Sequence, residues 1–219
     1  MATLLHIDTA LENASLAVST DDHCIDSRSN TVQNDHAAWL HTTIDELLRH
    51  NNLSPTDLDA IAVTIGPGSY TGLRVGLSTA KGLCYALQKP LLTISSLQLL
   101  ASAAATADDR LICPMIDARR MEVYYATYDQ TLTELTKPAA LILDENSFST
   151  ELELKKIIFC GNAIDKFKKV CVHPHASFTE KQAGAPEMVP LVFKKYVKKE
   201  YADLAYSVPL YVKEFQQHK

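Results

Sequence analysis

Three short apolar runs separated only by polar turns open this chain, and after them helix and strand alternate. Leu4–Asp8 and Ala14–Ser19 are rich in Leu, Ile and Val, with polar Thr9–Asn13 between them, the pattern of a hairpin. A weaker third strand is expected from Cys24 to Val32. Leu40, Ile44, Leu47 and Leu48 recur at helical spacing inside a helix from Ala37 to about Asn51. Ser54-Pro55-Thr56-Asp57 reads as a capped single turn. Ala60–Ile65 is a buried strand, Gly66–Tyr70 a tight loop, and Thr71 to about Leu87 a helix stopped by Lys89-Pro90. Leu91–Ile94 is another strand, and Ser95 or Ser96 caps a helix through about Thr106. Hairpin-linked strands run antiparallel, whereas strands joined through a helix run parallel. The order β-β-β-α-β-α-β-α therefore demands a mixed sheet with helices packed on it.

That order resembles the ribonuclease-H-like half of the actin-type ATPase fold, an α/β architecture that often comes in duplicate. Asp108-Asp109-Arg110 is a polar break, which places one domain at 1–106 and a smaller one at 107–219. The second set of β runs is Leu111–Ile116, Glu122–Tyr128, Ala139–Leu143 and Ile157–Cys160. A helix from Pro186 to about Asp203 and an extended piece, Ser207–Phe215, follow. This half has weaker periodicity and no glycine-rich turn, so a duplicate here would be a degenerate one.

Glycine is scarce and concentrated. Only 7 of 219 residues are glycine, and Gly66, Gly68, Gly72, Gly76 and Gly82 share one 17-residue window that runs from the end of the fourth strand into the following helix. A glycine-rich loop at a helix N-terminus invites an anion, with Asp8, Gly68, Ser69 and Thr71 as candidate residues. The specific fingerprints fail. No lysine follows Gly72 as a P-loop requires, and the spacing is G-x-G-x-x-x-G rather than the dinucleotide pattern. Within the helix, Gly72, Gly76, Ala80 and Cys84 fall at successive i+4 positions and form one row of small side chains. Such a row lets another element approach closely, either a helix of a partner or the protein's own sheet. Trp39, the single tryptophan, lies about 100° off the apolar stripe of the preceding helix. It is an interface anchor or a partly buried structural residue.

Asp117-Ala118-Arg119-Arg120 joins two strands, and Arg119 and Arg120 could hold a phosphate or a partner's carboxylate, or form an ordinary surface turn. No metal set is legible. His36 and His41 are five apart and do not share a helix face, and His173 and His175 lack a third ligand nearby. Nor is a Ser/His/Asp or Cys/His set.

Five cysteines without a C-x-x-C pair fit reduced thiols. With no basic n-region and no apolar run near the ~20 residues of a membrane span, the expected place is the cytoplasm. The net charge of −5 is uneven, because residues 155–219 carry 12 Lys against 6 Asp/Glu. This basic tail is a solvated helix face, or it serves partner docking or RNA contact.

LLHIDTALENASLAV, HAAWLHTTIDELL, GPGSYTGLRVGLSTAKGL, ISSLQLLA, MIDARRMEVYYA and VPLYV together resemble the TsaB (YeaZ) family, most closely over residues 1–128. The resemblance implies a non-catalytic scaffold or dimerisation subunit. It would bind TsaD and support threonylcarbamoyl transfer to tRNA adenosine near the anticodon, with TsaE a further partner and a homodimer an alternative. It implies no cofactor of its own, with ATP or ADP at the joint with partners, and tRNA contact only within the complex. It also implies contact through the two first-domain helices, which carry Trp39, Gly72, Gly76, Ala80 and Cys84. TsaD binds its metal through His-x-x-x-His, and the matching places here are Ser96 and Leu100. The alternative is a stand-alone nucleotide-dependent enzyme, kinase-like, of the actin-type fold. The family is also grouped by name with peptidases, for which this chain offers no zinc ligands, base or nucleophile.

Overall fold

The computed structural model describes residues 1–31 and 36–213. The expected strand end at Val32 and the last two residues of the extended piece, Glu214 and Phe215, lie outside them.

The first sheet is built from β1 (Thr3–Asp8), β2 (Ala14–Thr20), β3 (His23–Asn30), β4 (Ala60–Gly66) and β5 (Leu91–Ser95), in the order β3-β2-β1-β4-β5. The β1, β2 and β3 strands form the antiparallel meander, while β4 and β5 run parallel to β1. The helices α1 (His36–His50) and α2 (Tyr70–Leu87) supply the crossovers. Leu5 and Ile7 of β1, Leu16 and Val18 of β2, and Ile61 and Val63 of β4 point to one face and pack with Leu40, Leu47, Leu77 and Ala80. Alternation sends His6, Asp8, Ser15, Ala17 and Ser19 to the other face.

That second face is covered by α6 (Ala185–Val197), whose Ala185, Met188, Val189 and Val192 are buried. The Ala185 N–H donates to Ser15 Oγ at 2.8 Å, and Lys195 Nζ donates to the Thr93 carbonyl at 3.0 Å. The chain accordingly divides into Met1–Ser96 with Gly184–Leu210, and Leu97–Ala183 with the described residues that follow Leu210. The contiguous division at residue 106 is corrected. The last helix belongs with the first sheet because its apolar stripe covers the face that α1 and α2 leave open.

In the second unit, β6 (Leu111–Asp117), β7 (Glu122–Tyr128) and β8 (Glu134–Ile142) form an antiparallel meander. The strands β9 (Ile157–Cys160) and β10 (Ala176–Phe178) run parallel to β6. The order β8-β7-β6-β9-β10 repeats that of the first sheet, strand for strand. The helices of this unit are α3 (Ser96–Ala104) and two short ones: α4 (Ser149–Leu154) has 6 residues and α5 (Ile164–Lys168) has 5. Phe148, Phe159, Phe167 and Phe178 interlock through edge-to-face and stacked contacts at 4.8–6.0 Å. The helices are degenerate while the sheet topology is kept.

Beyond α6, residues 203–210 follow the first unit as a strap rather than a strand. Lys81 Nζ donates to the Ala205 and Ser207 carbonyls at 3.1 Å each, and the Leu210 N–H donates to the Ile65 carbonyl at 2.7 Å. Among the described residues no helix is long and apolar enough to cross a membrane.

Candidate functional site

The β1–β2 turn and the start of α2 meet without room for side chains. A Cβ at Gly68 would lie 2.2 Å from the Ala10 carbonyl oxygen, one at Gly72 2.1 Å from that of Thr9, and one at Gly76 2.2 Å from Thr9 Oγ1. Real Cβ atoms never approach so closely, so the three glycines are the condition for seating α2 on the turn. Hydrogen bonds fix the seat. Ser69 N–H donates to the Ala10 carbonyl at 2.7 Å, Thr9 Oγ1 donates to the Gly72 carbonyl at 2.8 Å, and Ser69 Oγ caps the helix by accepting from Gly72 N–H at 3.2 Å.

Two expectations change here. The row Gly72, Gly76, Ala80 and Cys84 faces inward, buried against this chain's own turn and sheet, and so offers no surface for a partner's helix. The anion reading of the loop loses the donor of Ser69 to Ala10 and that of Gly72 to the Ser69 cap, while Thr71 is exposed on the outer side of α2. Trp39 is half-buried and packs against the first core.

Asp8 ends β1 beneath this turn and is only 3% exposed. Its Oδ1 accepts from Thr64 Oγ1 at 2.7 Å and from Ala10 N–H at 3.1 Å. Burial pushes its pKa up to about 6, with Glu187 of α6 adding a smaller push and the two hydrogen bonds opposing it. His6, two residues earlier on the same face, is fully buried with Nε2 and Ser19 Oγ 2.8 Å apart, and burial lowers its pKa to about 3. Asp8 with its two donors thus braces the turn on which α2 rests.

The outer side of α2 is different. Thr71, Arg74, Ser78, Gly82 and Tyr85 are exposed at three- and four-residue spacing, with Val75 half-buried beside them. A Cβ at Gly82 would meet nothing within 4 Å, and Tyr85 is 74% exposed. In the sequence Gly82 is one member of the glycine cluster. Its signal was its place off the row of the other helix glycines.

Arg119 and Arg120 lie in the second unit, in the exposed turn between β6 and β7, apart in sequence from the other candidate anion residues. Among the described residues no three or more His, Cys, Asp or Glu side chains converge as a metal site would require. Ser96 is buried at the start of α3, and Leu100 is buried with its Cδ1 in reach of a Cβ built at Gly161.

A family model described as TsaD, tRNA N6-adenosine threonylcarbamoyltransferase, matches residues 29–217. The tRNA threonylcarbamoyladenosine biosynthesis protein TsaB of Bacillus subtilis is 37% identical over 126 residues, 58% of this chain and 55% of that one. The chain spans about half the length of the first curated relatives it matches. A Pseudomonas aeruginosa structure described as uncharacterized, with similarity to peptidase YEAZ, superposes with a TM-score of 0.85 at 25% identity, over 97% of this chain and 100% of that one. The ADPNP-bound activator of 2-hydroxyisocaproyl-CoA dehydratase from Clostridium difficile shares the fold at TM-score 0.50 and 9% identity, over 92% and 98% of the two chains. Sheet order, glycine seat and these matches agree that the chain belongs to the TsaD family, in its TsaB (YeaZ) group.

Proposed function

We propose that this chain is a non-catalytic scaffold subunit in the biosynthesis of tRNA threonylcarbamoyladenosine. It docks on a TsaD-type threonylcarbamoyltransferase through the outward faces of α1 and α2, with a homodimer through the same face as the alternative. The observation that carries this reading is Gly82. A glycine inside a helix costs about 1 kcal/mol relative to alanine, and here nothing in the chain's own fold requires one. Close approach of another helix gives it a use. Half-buried Trp39 and exposed Tyr85 on the neighbouring surfaces supply the large side chains that anchor such contacts. The lack of catalysis rests on Ser96 and Leu100, which stand where the resemblance to TsaD expects two metal-binding histidines; a leucine cannot ligate. TsaE joins the complex, ATP or ADP is held at the joint with these partners, and tRNA contact at physiological salt is made only within the assembled complex.

Copurification of the full chain with the TsaD-family protein of the same genome tests the reading. Gly82→Leu should abolish capture while leaving the thermal midpoint unchanged or slightly raised. Capture that survives Gly82→Leu and Tyr85→Glu together would sink the proposed face. Tight binding of ATP and magnesium by the lone chain in calorimetry would favour an independent nucleotide-dependent enzyme instead.

A further inference from the structure

The turn between β6 and β7 holds two arginines that the docking face does not use. Arg119 and Arg120 both adopt left-handed backbone, with φ of 72° and 50°. Glu122 N–H closes the turn on the Arg119 carbonyl at 3.1 Å, and Ala118 N–H donates to the Glu122 carbonyl at 3.1 Å. Hairpin turns of this kind normally place glycine or asparagine at positive φ, because a Cβ is crowded there. Arginine at both positions is the opposite of what the backbone prefers. The main chain is nevertheless held firmly. Arg119 N–H donates to Asp117 Oδ1 at 2.5 Å, and Asp117 N–H donates to Asn162 Oδ1 at 2.9 Å.

The charges around the turn are distributed so that the arginines stay free. Asp117, next to the turn on one side, is paired with Lys166 Nζ at 2.6 Å. Glu122, on the other side, is paired with Lys213 Nζ at 2.5 Å. The two carboxylates that flank the turn in sequence are thus each paired with a lysine. The side chains of Arg119 and Arg120 have no ion-pair or hydrogen-bond partner among the described residues and are exposed. Residues 118–121 of the turn thus contribute two positive charges on a chain whose net charge is −5.

We propose that the Arg119–Arg120 turn is a phosphodiester-binding tip that grips the backbone of the tRNA substrate. This inference rests on the tRNA-modifying function proposed above, and it is tested separately from it. Guanidinium groups bind phosphate oxygens in pairs of parallel hydrogen bonds, and two on adjacent residues can engage neighbouring phosphates of one strand. A protein partner's acidic patch fits less well. Within the turn itself Met121 is the one sizeable apolar side chain, with exposed Ile142 beside it on β8, whereas protein interfaces draw most of their binding from buried aromatic and aliphatic anchors. The tip positions RNA through its backbone and reads no base.

The probe is an unmodified tRNA transcript, measured by filter binding over a range of salt. It is used with the chain in complex with its TsaD-family partner and, at low salt, with the full chain alone. Arg119→Gln with Arg120→Gln should weaken binding about tenfold, and should flatten the slope of log affinity against log salt by about 1 to 2. Arg119→Asn with Arg120→Gly gives the backbone the residues it prefers. This variant should raise the thermal midpoint by a few degrees and still lose RNA affinity, which separates the side chains' role from the turn's stability. Partner capture should be unchanged in both variants. Unaltered affinity and salt slope, or no binding of the transcript by the wild-type protein in either form, overturns the proposal. Loss of partner capture with RNA affinity intact also overturns it and assigns the arginines to a partner's carboxylates. Failure of capture by the wild-type chain overturns the docking function alone, because the low-salt measurement on the lone chain still reads the tip.

Discussion

His6 and Asp8 share one face of β1, both out of solvent, and their protonation equilibria are displaced in opposite senses: His6 down to about 3, Asp8 up to about 6. Between pH ~4 and ~6 the folded chain holds a proton on Asp8 that the unfolded chain has released. Stability from Asp8 is thus complete below the ordinary carboxylate range and is lost as pH rises through about 6. The unfolded chain protonates His6 in that window while the folded chain does not, so stability from His6 is present above ~6.5 and is lost as pH falls towards about 3. Each slope is about 1.4 kcal/mol per pH unit, and the two cancel. Asp8→Asn keeps an oxygen to accept from Thr64 and Ala10 but removes the titration. Its stability relative to wild type should be greatest near pH 7.5. It should then fall by about 1.4 kcal/mol per unit as pH drops from 6 to 4.5, read by urea unfolding at each pH. Parallel wild-type and variant profiles would mean that Asp8 is not the buried acid described.

A single helix, α2, has a buried inner side and an exposed outer side, and glycine lies on both. On the inner side Gly76→Leu forces a side chain into Thr9 Oγ1, 2.2 Å from its Cβ, and into Val63, 3.5 Å away. Overpacking on this scale typically costs 1–3 kcal/mol or more, so Gly76→Leu should express poorly or melt well below wild type in differential scanning calorimetry. Gly82→Leu should not. Lys81 sits between the two sides and ties down the strap through the Ala205 and Ser207 carbonyls. Lys81→Met should leave the core intact, at a cost of about 1 kcal/mol. It should speed amide exchange at Leu210, whose N–H is bonded to Ile65, and unchanged protection there would show that the strap holds without it. The sequence pattern delivered the meander, the crossovers and the position of α2, because apolar periodicity over 15 to 18 residues has one consistent reading. It could not orient the small row. Gly72/Gly76 and Leu73/Leu77 lie side by side and both are buried, so a broad inner face looked like a narrow apolar stripe beside an open ridge. The helices α4 and α5 and the strand β10 are six, five and three residues long, too short for any periodicity to register.

At the scale of the molecule, the first unit is assembled from two distant pieces of chain, and this makes α6 indispensable to it. Its buried Met188, Val189 and Val192 lie on the sheet face that bears His6 and Asp8. Burying three such side chains is worth about 1.5–3 kcal/mol each, a sum comparable to the whole stability of about 5–15 kcal/mol typical of a domain. Removing α6 also takes the Ala185 hydrogen bond from Ser15 and leaves Leu4 and Ala17 open to water on that face. A chain ending at Ala183 should therefore lose cooperative folding of the first unit. The second unit's sheet and its phenylalanine cluster lie wholly within residues 111–178 and should survive. Trp39 is the single tryptophan and packs against the first core, so its fluorescence reports on one unit only. Truncation should shift that emission to the red and flatten its urea transition, while near-ultraviolet circular dichroism keeps the tyrosine and phenylalanine bands of the second unit. A truncated chain whose Trp39 emission and transition match the full-length protein would show that the first sheet stands without its second cover. The division of the molecule would then return to the contiguous one that the sequence suggests.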